Sequence, residues 1–116
     1  MECAGLVCRI GANAKHNLQV GDRVLCWYPG SLASHVQVDS RYCVKLPDSI
    51  PLDEAVTLST AHAAMVRGLV ELCNLSEGES VFINPATGPD GTAAIQIART
   101  LGAKVRSVPS ISSFRR

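Results

Sequence analysis

The chain has 116 residues, of which 47% are hydrophobic and 18% charged, a composition that excludes a disordered tail and suits one domain's worth of core. The net charge of +1 provides no strong positive electrostatic potential that would attract nucleic acid or an anionic membrane. No apolar stretch approaches the roughly 20 residues that a membrane-spanning helix needs, and the N-terminus lacks the basic and long apolar regions of a signal peptide. We therefore expect no nucleic-acid partner and no membrane partner.

The cysteines predict a reducing compartment. Their number is odd and no Cys-x-x-Cys pair occurs. Cys8, Cys26 and Cys43 lie within strand-like runs, where a free cysteine behaves as a small apolar residue. We expect buried, reduced thiols rather than a disulfide framework, and hence a cytoplasmic protein.

The three histidines share no metal-ligand spacing with any cysteine, so no bound metal is expected.

Residues 1–47 predict four short strands, each an apolar or alternating run bounded by glycine or proline turns. The strands are expected over 3–10, 24–27, 33–38 and 42–46. The third of them alternates apolar and polar residues, as a half-buried strand does. Four strands of this kind favour part of a barrel or a sandwich.

Residues 48–74 change to a helical period. Pro51 suits the first turn of a helix, and Asp53 and Glu54 are favourable near the positive end of its dipole. Apolar residues then recur at spacings of three or four: Ala55, Leu58, Ala61, Met65, Leu69 and Leu72. This spacing predicts a helix with one apolar face.

The most informative stretch runs from residue 81 to 105. A β-branched run leads into a loop of small residues, and the loop opens directly into a helix expected over 91–101. The apolar face of that helix consists of Ala94, Ile97, Ala98 and Leu101. Gly102, a natural left-handed residue after a helix, precedes a second strand. This is the order of a dinucleotide-binding βαβ unit, and residues 109–116 after it are expected to be a loose tail.

The loop of this unit carries an altered glycine fingerprint. Ala86, Gly88 and Gly91 match its three positions, with Thr87 between the first two. In such a loop, backbone N–H groups at the helix N-terminus face the pyrophosphate of the nucleotide. Gly88 permits close approach of the backbone to the ligand, and Gly91 permits tight packing of the helix on the strand.

Two residues of the loop leave its function open. Pro89 removes one N–H donor, and Asp90 places a carboxylate where an anion should bind, a repulsion worth a few kcal/mol at roughly 4 Å. These changes predict weakened cofactor binding. Alternatively, Pro89 is a first-turn helix residue and Asp90 compensates the helix dipole, in a loop that binds nothing.

Several further segments occur in a fixed order along the chain. They are Glu2-Cys3-Ala4-Gly5-Leu6-Val7, Val20-Gly21-Asp22-Arg23-Val24, Leu46-Pro47-Asp48, Glu54-Ala55, Gly68-Leu69-Val70, Leu75-x-x-Gly78-Glu79-x-Val81, Ala93-Ala94-Ile95-Gln96-Ile97-Ala98 and Leu101-Gly102-Ala103. Together they resemble the medium-chain dehydrogenase/reductase superfamily, in its zinc-independent, quinone-reductase-like branch. The opening segment and the spacing of the early turns are similar to the enoyl-reductase domain of fungal-type highly reducing polyketide synthases. The resemblance covers about residues 2–108.

The resemblance implies an α/β fold: a partial GroES-like β-barrel over 1–50, then a linking helix and the first half (βαβ) of a Rossmann dinucleotide-binding domain over 51–108. It implies NADPH as the cofactor and hydride transfer to the β-carbon of an enoyl thioester, with protonation of the α-carbon. The substrate would be a small-molecule or carrier-bound thioester, and the protein partner would be the parent synthase or a second copy. The chain would hold only the middle of such a domain. The alternative is a non-catalytic remnant or interaction module with lost or weakened cofactor binding.

The resemblance also implies which residues bind the cofactor. They are Ala86, Thr87, Gly88 and Gly91 in the phosphate loop, with Arg106 and Ser107 as candidates for the 2′-phosphate of NADPH. Family members commonly have two adjacent glycines where this chain has Gly88-Pro89. Zinc-dependent relatives carry a histidine where Met1 stands, so zinc is not expected. His62 would lie on the nicotinamide side of the cleft, but we assign no catalytic acid.

Overall fold

A computed structural model of the chain describes residues 2–14 and 17–108. The chain divides into two compact units, Met1–Thr60 and Ala61–Arg116. The first contains an antiparallel sheet, and the second contains a parallel strand pair with helices. The α/β class predicted from the sequence is confirmed. The loose tail predicted over 109–116 lies outside the described residues.

The first unit is a three-stranded antiparallel sheet followed by short helical turns. Its strands are β1 (Glu2–Leu6), β2 (Arg23–Trp27) and β3 (Cys43–Lys45), with β2 in the centre. A 3-10 turn, Ser40–Tyr42, leads into β3, and α1 (Leu52–Ala55) and a second 3-10 turn, Val56–Leu58, follow it. The strand predicted over 3–10 is therefore shorter than expected, whereas those predicted near 24–27 and 42–46 are confirmed.

Gly21 shapes the connection between β1 and β2. Its φ is +92° and its N–H donates to the carbonyl of Val7 at 2.8 Å, while the N–H of Val7 donates to the carbonyl of Asp22 at 2.9 Å. This is the pattern of a glycine β-bulge. The Asp22 carboxylate accepts a hydrogen bond from the N–H of Gln19 at 2.8 Å and pairs with Lys45 Nζ at 2.7 Å. Gly21 and Asp22 therefore define where β2 begins and tie the turn to β3.

The strand predicted over 33–38 is wrong. No sheet of the described residues includes this segment, and the side chains of residues 33–37 are exposed. Alternation shows which side chains would share a face, but a strand also needs a neighbouring strand to accept and donate its backbone hydrogen bonds. Within residues 2–14 and 17–108 this segment has no such neighbour.

The helix predicted within 48–74 is divided into α1, a 3-10 turn, α2 (Ala61–Met65) and a π-helical segment, Val66–Leu72. Side-chain hydrogen bonds explain the first break. Thr57 Oγ1 donates to the carbonyl of Glu54 at 2.8 Å, and the backbone N–H of Thr60 donates to the carboxylate of Glu2 at 3.0 Å. Such bonds compete with the regular hydrogen bonds of a helix.

Most of the buried side chains in the described part of both units are small. The buried hydrophobic residues are Val24, Cys26, Leu46 and Ala55 in the first unit, and Ala61, Ile83, Ala93, Ala94, Ala98 and Ala103 in the second. Leu58 and Leu72, predicted on the apolar helix face, are exposed. Of the three cysteines predicted to be buried, only Cys26 is. Cys8 is exposed because it lies beyond the end of β1, and Cys43 is half-buried on the edge strand β3.

The second unit contains the predicted βαβ arrangement. β4 (Ser80–Ile83) and β5 (Lys104–Ser107) pair in parallel, with α3 (Pro89–Thr100) between them in the chain. On the predicted apolar face of α3, Ala94 and Ala98 are buried. Within residues 2–14 and 17–108, no helix has the length and apolar character needed to cross a membrane.

The C-terminus of α3 confirms the role predicted for Gly102. Its φ is +75°, and its N–H donates to the carbonyl of Arg99 at 3.0 Å. The N–H of Ala103 donates to the carbonyl of Ala98 at 3.0 Å. These two bonds form a Schellman motif, which ends the helix and directs the chain into β5.

Candidate cofactor-binding site

The candidate site lies at the carboxyl ends of β4 and β5. Ligands of parallel α/β sheets bind at this edge. The strand register places Ser107 opposite Ile83, the last residue of β4, and Arg106 one residue earlier. The loop that follows β4 is attached to the same edge, because the N–H of Ala86 donates to the carbonyl of Val108 at 3.1 Å. The structure thus brings the predicted phosphate loop and the two predicted 2′-phosphate residues to one end of the strand pair.

Arg106 and Ser107 are not equivalent in this arrangement. Successive residues of a strand point to opposite faces of the sheet. Ser107 shares its face with the buried Ile83, while Arg106 shares its face with Phe82, whose side chain is 65% exposed. The cationic side chain therefore lies on the exposed face of the strand pair.

The two glycines of the loop have different surroundings. Gly91 is buried, and a Cβ added there would lie 2.8 Å from Cα and 2.9 Å from the carbonyl carbon of Ala86. The tight packing predicted at Gly91 is therefore present. A Cβ added at Gly88 would meet nothing within 4 Å, so the backbone at Gly88 is open to a ligand.

The first turn of α3 defines the donors that remain for an anion. Gly88 is the N-cap residue and Pro89 the first residue of the helix, the position at which a missing N–H is tolerated. The N–H of Thr92 donates to the carbonyl of Gly88 at 2.9 Å, and its hydroxyl donates to the same oxygen at 2.6 Å. The N–H groups of Asp90 and Gly91 belong to the first turn, where a helix provides no carbonyl partner.

These residues fit a pyrophosphate only in part. The open backbone at Gly88 and the N–H groups of the first turn suit an anion at the positive end of the helix. The exposed carboxylate of Asp90 lies in the same turn and already compensates that positive end. A bound phosphate would meet this charge, and a separation of roughly 4 Å corresponds to a few kcal/mol of repulsion in a partly screened site.

His62, expected above on the nicotinamide side of the cleft, forms a contact between two helices. Its Nε2 lies 3.0 Å from Oε1 of Gln96 on α3. Gln96 lies outside the apolar face of α3, and no sequence pattern predicts a role for it. The contact links α2 to α3 within the second unit.

Glu2 has a structural role that its position in the sequence does not predict. Its carboxylate accepts hydrogen bonds from the hydroxyls of Ser59 and Thr60, and from the N–H of Thr60 at 3.0 Å. The bond from Ser59, followed by those from Thr60, holds the pKa of Glu2 below its usual range.

A metal centre is not visible in the part of the chain that the structure describes. Among those residues, no group of three or more histidine, cysteine, aspartate or glutamate side chains is placed to hold a metal ion.

Comparison with known proteins identifies the family. No protein-family model matches the chain. It is similar to the highly reducing polyketide synthase ntnH of Nectria sp, with 46% identity over 106 residues, covering 90% of this chain and 4% of that protein. Its structure is similar to that of CurK enoyl reductase, with a TM-score of 0.81 and 33% identity, covering 97% of this chain and 34% of that one.

A third similarity is to a quinone oxidoreductase of known structure. The structure is similar to Escherichia coli quinone oxidoreductase complexed with NADPH, with a TM-score of 0.83 and 27% identity, covering 90% of this chain and 32% of that one. The chain thus spans about a third of these solved structures and a few per cent of the synthase. With the ordered segments of the sequence and the βαβ unit, these likenesses show that the chain belongs to the medium-chain dehydrogenase/reductase superfamily, corresponding to part of the enoyl-reductase region of fungal highly reducing polyketide synthases.

Proposed function

We propose that the chain forms part of an NADPH-dependent enoyl reductase that acts on an enoyl thioester. The observation that carries this proposal is the loop between β4 and α3, with a backbone open at Gly88 and closely packed at Gly91. Membership of a reductase family supports it, as does the similarity to a quinone oxidoreductase complexed with NADPH. By analogy with the highly reducing polyketide synthase, the thioester is a small molecule or is carrier-bound, and the parent synthase is the partner.

In this proposal the residues of the chain bind and orient the nucleotide. The N–H groups of Asp90 and Gly91 donate to the pyrophosphate, which approaches the backbone at Gly88. Arg106 supplies a positive charge and Ser107 a hydroxyl for the 2′-phosphate. When bound, the reduced nicotinamide supplies the hydride that reduces the β-carbon of the enoyl group.

A second candidate function is a non-catalytic interaction module. Pro89 and Asp90 favour it, because together they remove one donor from the anion site and add a negative charge to it. In this case Gly91 still packs α3 against the loop, but the loop binds no nucleotide. The exposed strand edges would then bind a partner chain.

The test is a fluorescence titration of the folded chain with NADPH, with NADH as the control. The variant carrying Pro89→Gly and Asp90→Val should bind NADPH at least several-fold more tightly, since roughly 1 kcal/mol corresponds to about fivefold in affinity. Arg106→Met should reduce the preference for NADPH over NADH and leave NADH binding unchanged. If neither the natural chain nor the double variant binds NADPH up to millimolar concentration, the interaction module is the better account.

A further inference from the structure

Three cysteines form a row across the sheet of the first unit. Cys3 on β1 is opposite Cys26 on β2, and Cys26 is opposite Cys43 on β3. All three line one groove of about 820 Å³, formed by residues of the first unit alone. Small solutes therefore have a route to these thiols, and none of the three has a place in the proposed reductase chemistry.

Cys26 and Cys43 of this row are in direct contact. Their sulfur atoms lie 3.3 Å apart. The N–H of Leu46 donates to the carbonyl of Arg23 at 2.8 Å, which makes those two residues a hydrogen-bonded pair of the ladder. Since the two kinds of pair alternate, Cys26 and Cys43, three positions further along, form a non-hydrogen-bonded pair.

This register suits a covalent bond between the two sulfurs. In a non-hydrogen-bonded pair the Cα atoms lie about 4.5 Å apart and the side chains approach most closely. Disulfides span Cα separations of roughly 4.4–6.8 Å. The general backbone spacing of such a pair is therefore within the range that a disulfide between Cys26 and Cys43 would span.

Cys3 is less well placed. The N–H of Val7 donates to the carbonyl of Asp22, so Cys3 and Cys26, four positions further along, form a hydrogen-bonded pair. The side chains in such a pair are farther apart, with Cα atoms about 5.5 Å from each other. The geometry therefore selects one of the two neighbours of Cys26.

We propose that Cys26 and Cys43 form a dithiol site that hydrogen peroxide oxidises to a disulfide between β2 and β3. In the first step the sulfur of Cys43 attacks one peroxide oxygen, the O–O bond breaks, and a sulfenic acid and one water form. In the second step the sulfur of Cys26 attacks the sulfenic sulfur, the S–O bond breaks, and the disulfide and a second water form. The two thiol protons leave in these waters, and the two electrons of the thiols reduce the peroxide.

Burial decides the order of the two steps. Cys26 is only 6% exposed, whereas Cys43 is half-buried. Burial, with the neighbouring Cys43, raises the pKa of Cys26 to about 12, and a protonated thiol is a poor nucleophile toward peroxide. Cys43 therefore reacts first and Cys26 resolves the product.

The test uses the full chain with Cys8→Ser and Cys73→Ser, which removes the two exposed cysteines. The chain is treated with one equivalent of hydrogen peroxide, alkylated and digested without reduction for mass spectrometry. We expect an intramolecular cross-link between the peptides of Cys26 and Cys43, with the loss of two hydrogen atoms and reversal by dithiothreitol. Adding Cys3→Ser should leave the cross-link intact, and adding Cys43→Ser should abolish it.

Three outcomes would overturn the proposal. They are a cross-link between Cys3 and Cys26 in the parent variant, a disulfide between two copies of the chain, and oxidation of Cys43 to sulfinic acid without a cross-link. The parent variant retains all three cysteines of the row, so these outcomes are readable even if Cys43→Ser does not fold.

Discussion

At the scale of single residues, two glycines of one motif, Gly88 and Gly91, are needed for different reasons. Both fit the glycine fingerprint, but only Gly91 is enclosed by the backbone of Ala86. The space beside Gly88 is open, so this glycine affects the approach of a ligand and not the packing of the fold. The stability of the fold and the affinity for nucleotide can therefore be tested at separate positions.

Gly91→Ala should destabilise the chain by about 1–3 kcal/mol, because the new methyl group overpacks the contact with the backbone of Pro85 and Ala86. Urea unfolding followed by circular dichroism measures this loss. The matched control is Gly68→Ala, in a helical segment where a Cβ would meet nothing within 4 Å. The control should be neutral or stabilising by up to roughly 1 kcal/mol, and an equal loss in both variants would contradict the role of Gly91.

Glu2 predicts a specific acid sensitivity. Hydrogen bonds from Ser59 and then Thr60 lower its pKa in the folded chain. A carboxylate with a lowered pKa stabilises the fold above its unfolded pKa, and this contribution is lost as the pH falls through the folded value. Glu2→Gln should cost about 1 kcal/mol at neutral pH and remove this part of the pH dependence.

Urea unfolding at neutral pH and at steps down to acid pH measures the effect. Glu71→Gln, at an exposed ion pair with Arg67, is the control and should change stability by less than about 1 kcal/mol. If the two variants have the same pH profile, Glu2 does not contribute in this way.

At the scale of secondary structure, local signals predicted the second unit better than the first. The βαβ order depends on the helical period of α3 and on a left-handed Gly102, both of which are local to the chain. The strand predicted over 33–38 depended on a neighbour, which alternation cannot reveal. The helix predicted within 48–74 was divided because the backbone N–H of Thr60 bonds to Glu2, a residue 58 positions away.

The candidate site was predictable to a similar extent. Arg106 and Ser107 end the second strand of a parallel pair, and the phosphate loop follows the first strand. Parallel pairing therefore brings them to the same edge of the sheet. The sequence also predicts different roles for the two glycines: Gly91 allows tight packing of the helix, and Gly88 allows a ligand to approach the backbone. The sequence could not show the links of Gln96 to His62 and of Ser59 to Glu2, because neither pair belongs to a spacing pattern within one element.

The Schellman motif after α3 leads to a further prediction. At Gly102, with φ of +75°, an alanine is forced into the left-handed region, which costs about 1–2 kcal/mol. Gly102→Asn should cost less, because asparagine tolerates this conformation. Both replacements add the same Cβ, which would approach Cγ of Glu77 at 2.8 Å, so their difference in urea unfolding reports the backbone alone. Equal losses would show that the contact with Glu77 dominates.

At the scale of the whole molecule, the distribution of apolar side chains is unusual. Among residues 2–14 and 17–108, six of the ten buried hydrophobic residues are alanines, whereas Phe82 on β4 is 65% exposed and Val44 on β3 is 62% exposed. Exposed apolar surface beside unpaired strand edges favours association with other chains. This property supports both proposed functions, since a partner could be the parent synthase or a second copy.

The chain should therefore associate as its concentration rises, and sedimentation velocity measures this directly. Phe82→Thr combined with Val44→Thr should shift the association to higher concentration, since threonine retains a high strand propensity while it reduces the apolar area. The exposed Leu32→Ser, outside the strands, is the comparison for a simple loss of surface hydrophobicity. A chain that stays monomeric throughout, or that responds equally to both changes, would contradict association through the strands.

The hydrogen bonds that join Glu2 to Ser59 and Thr60 also have a consequence for the order of folding. They close a loop of nearly sixty residues, whereas Cys26 and Cys43 on neighbouring strands are only 17 residues apart. Long loops lose more chain entropy when they close, and contacts of low sequence separation form sooner. In native-state hydrogen exchange, the amide proton of Thr60 should therefore exchange through local opening, while those in the β2 ladder stay protected until the whole unit unfolds.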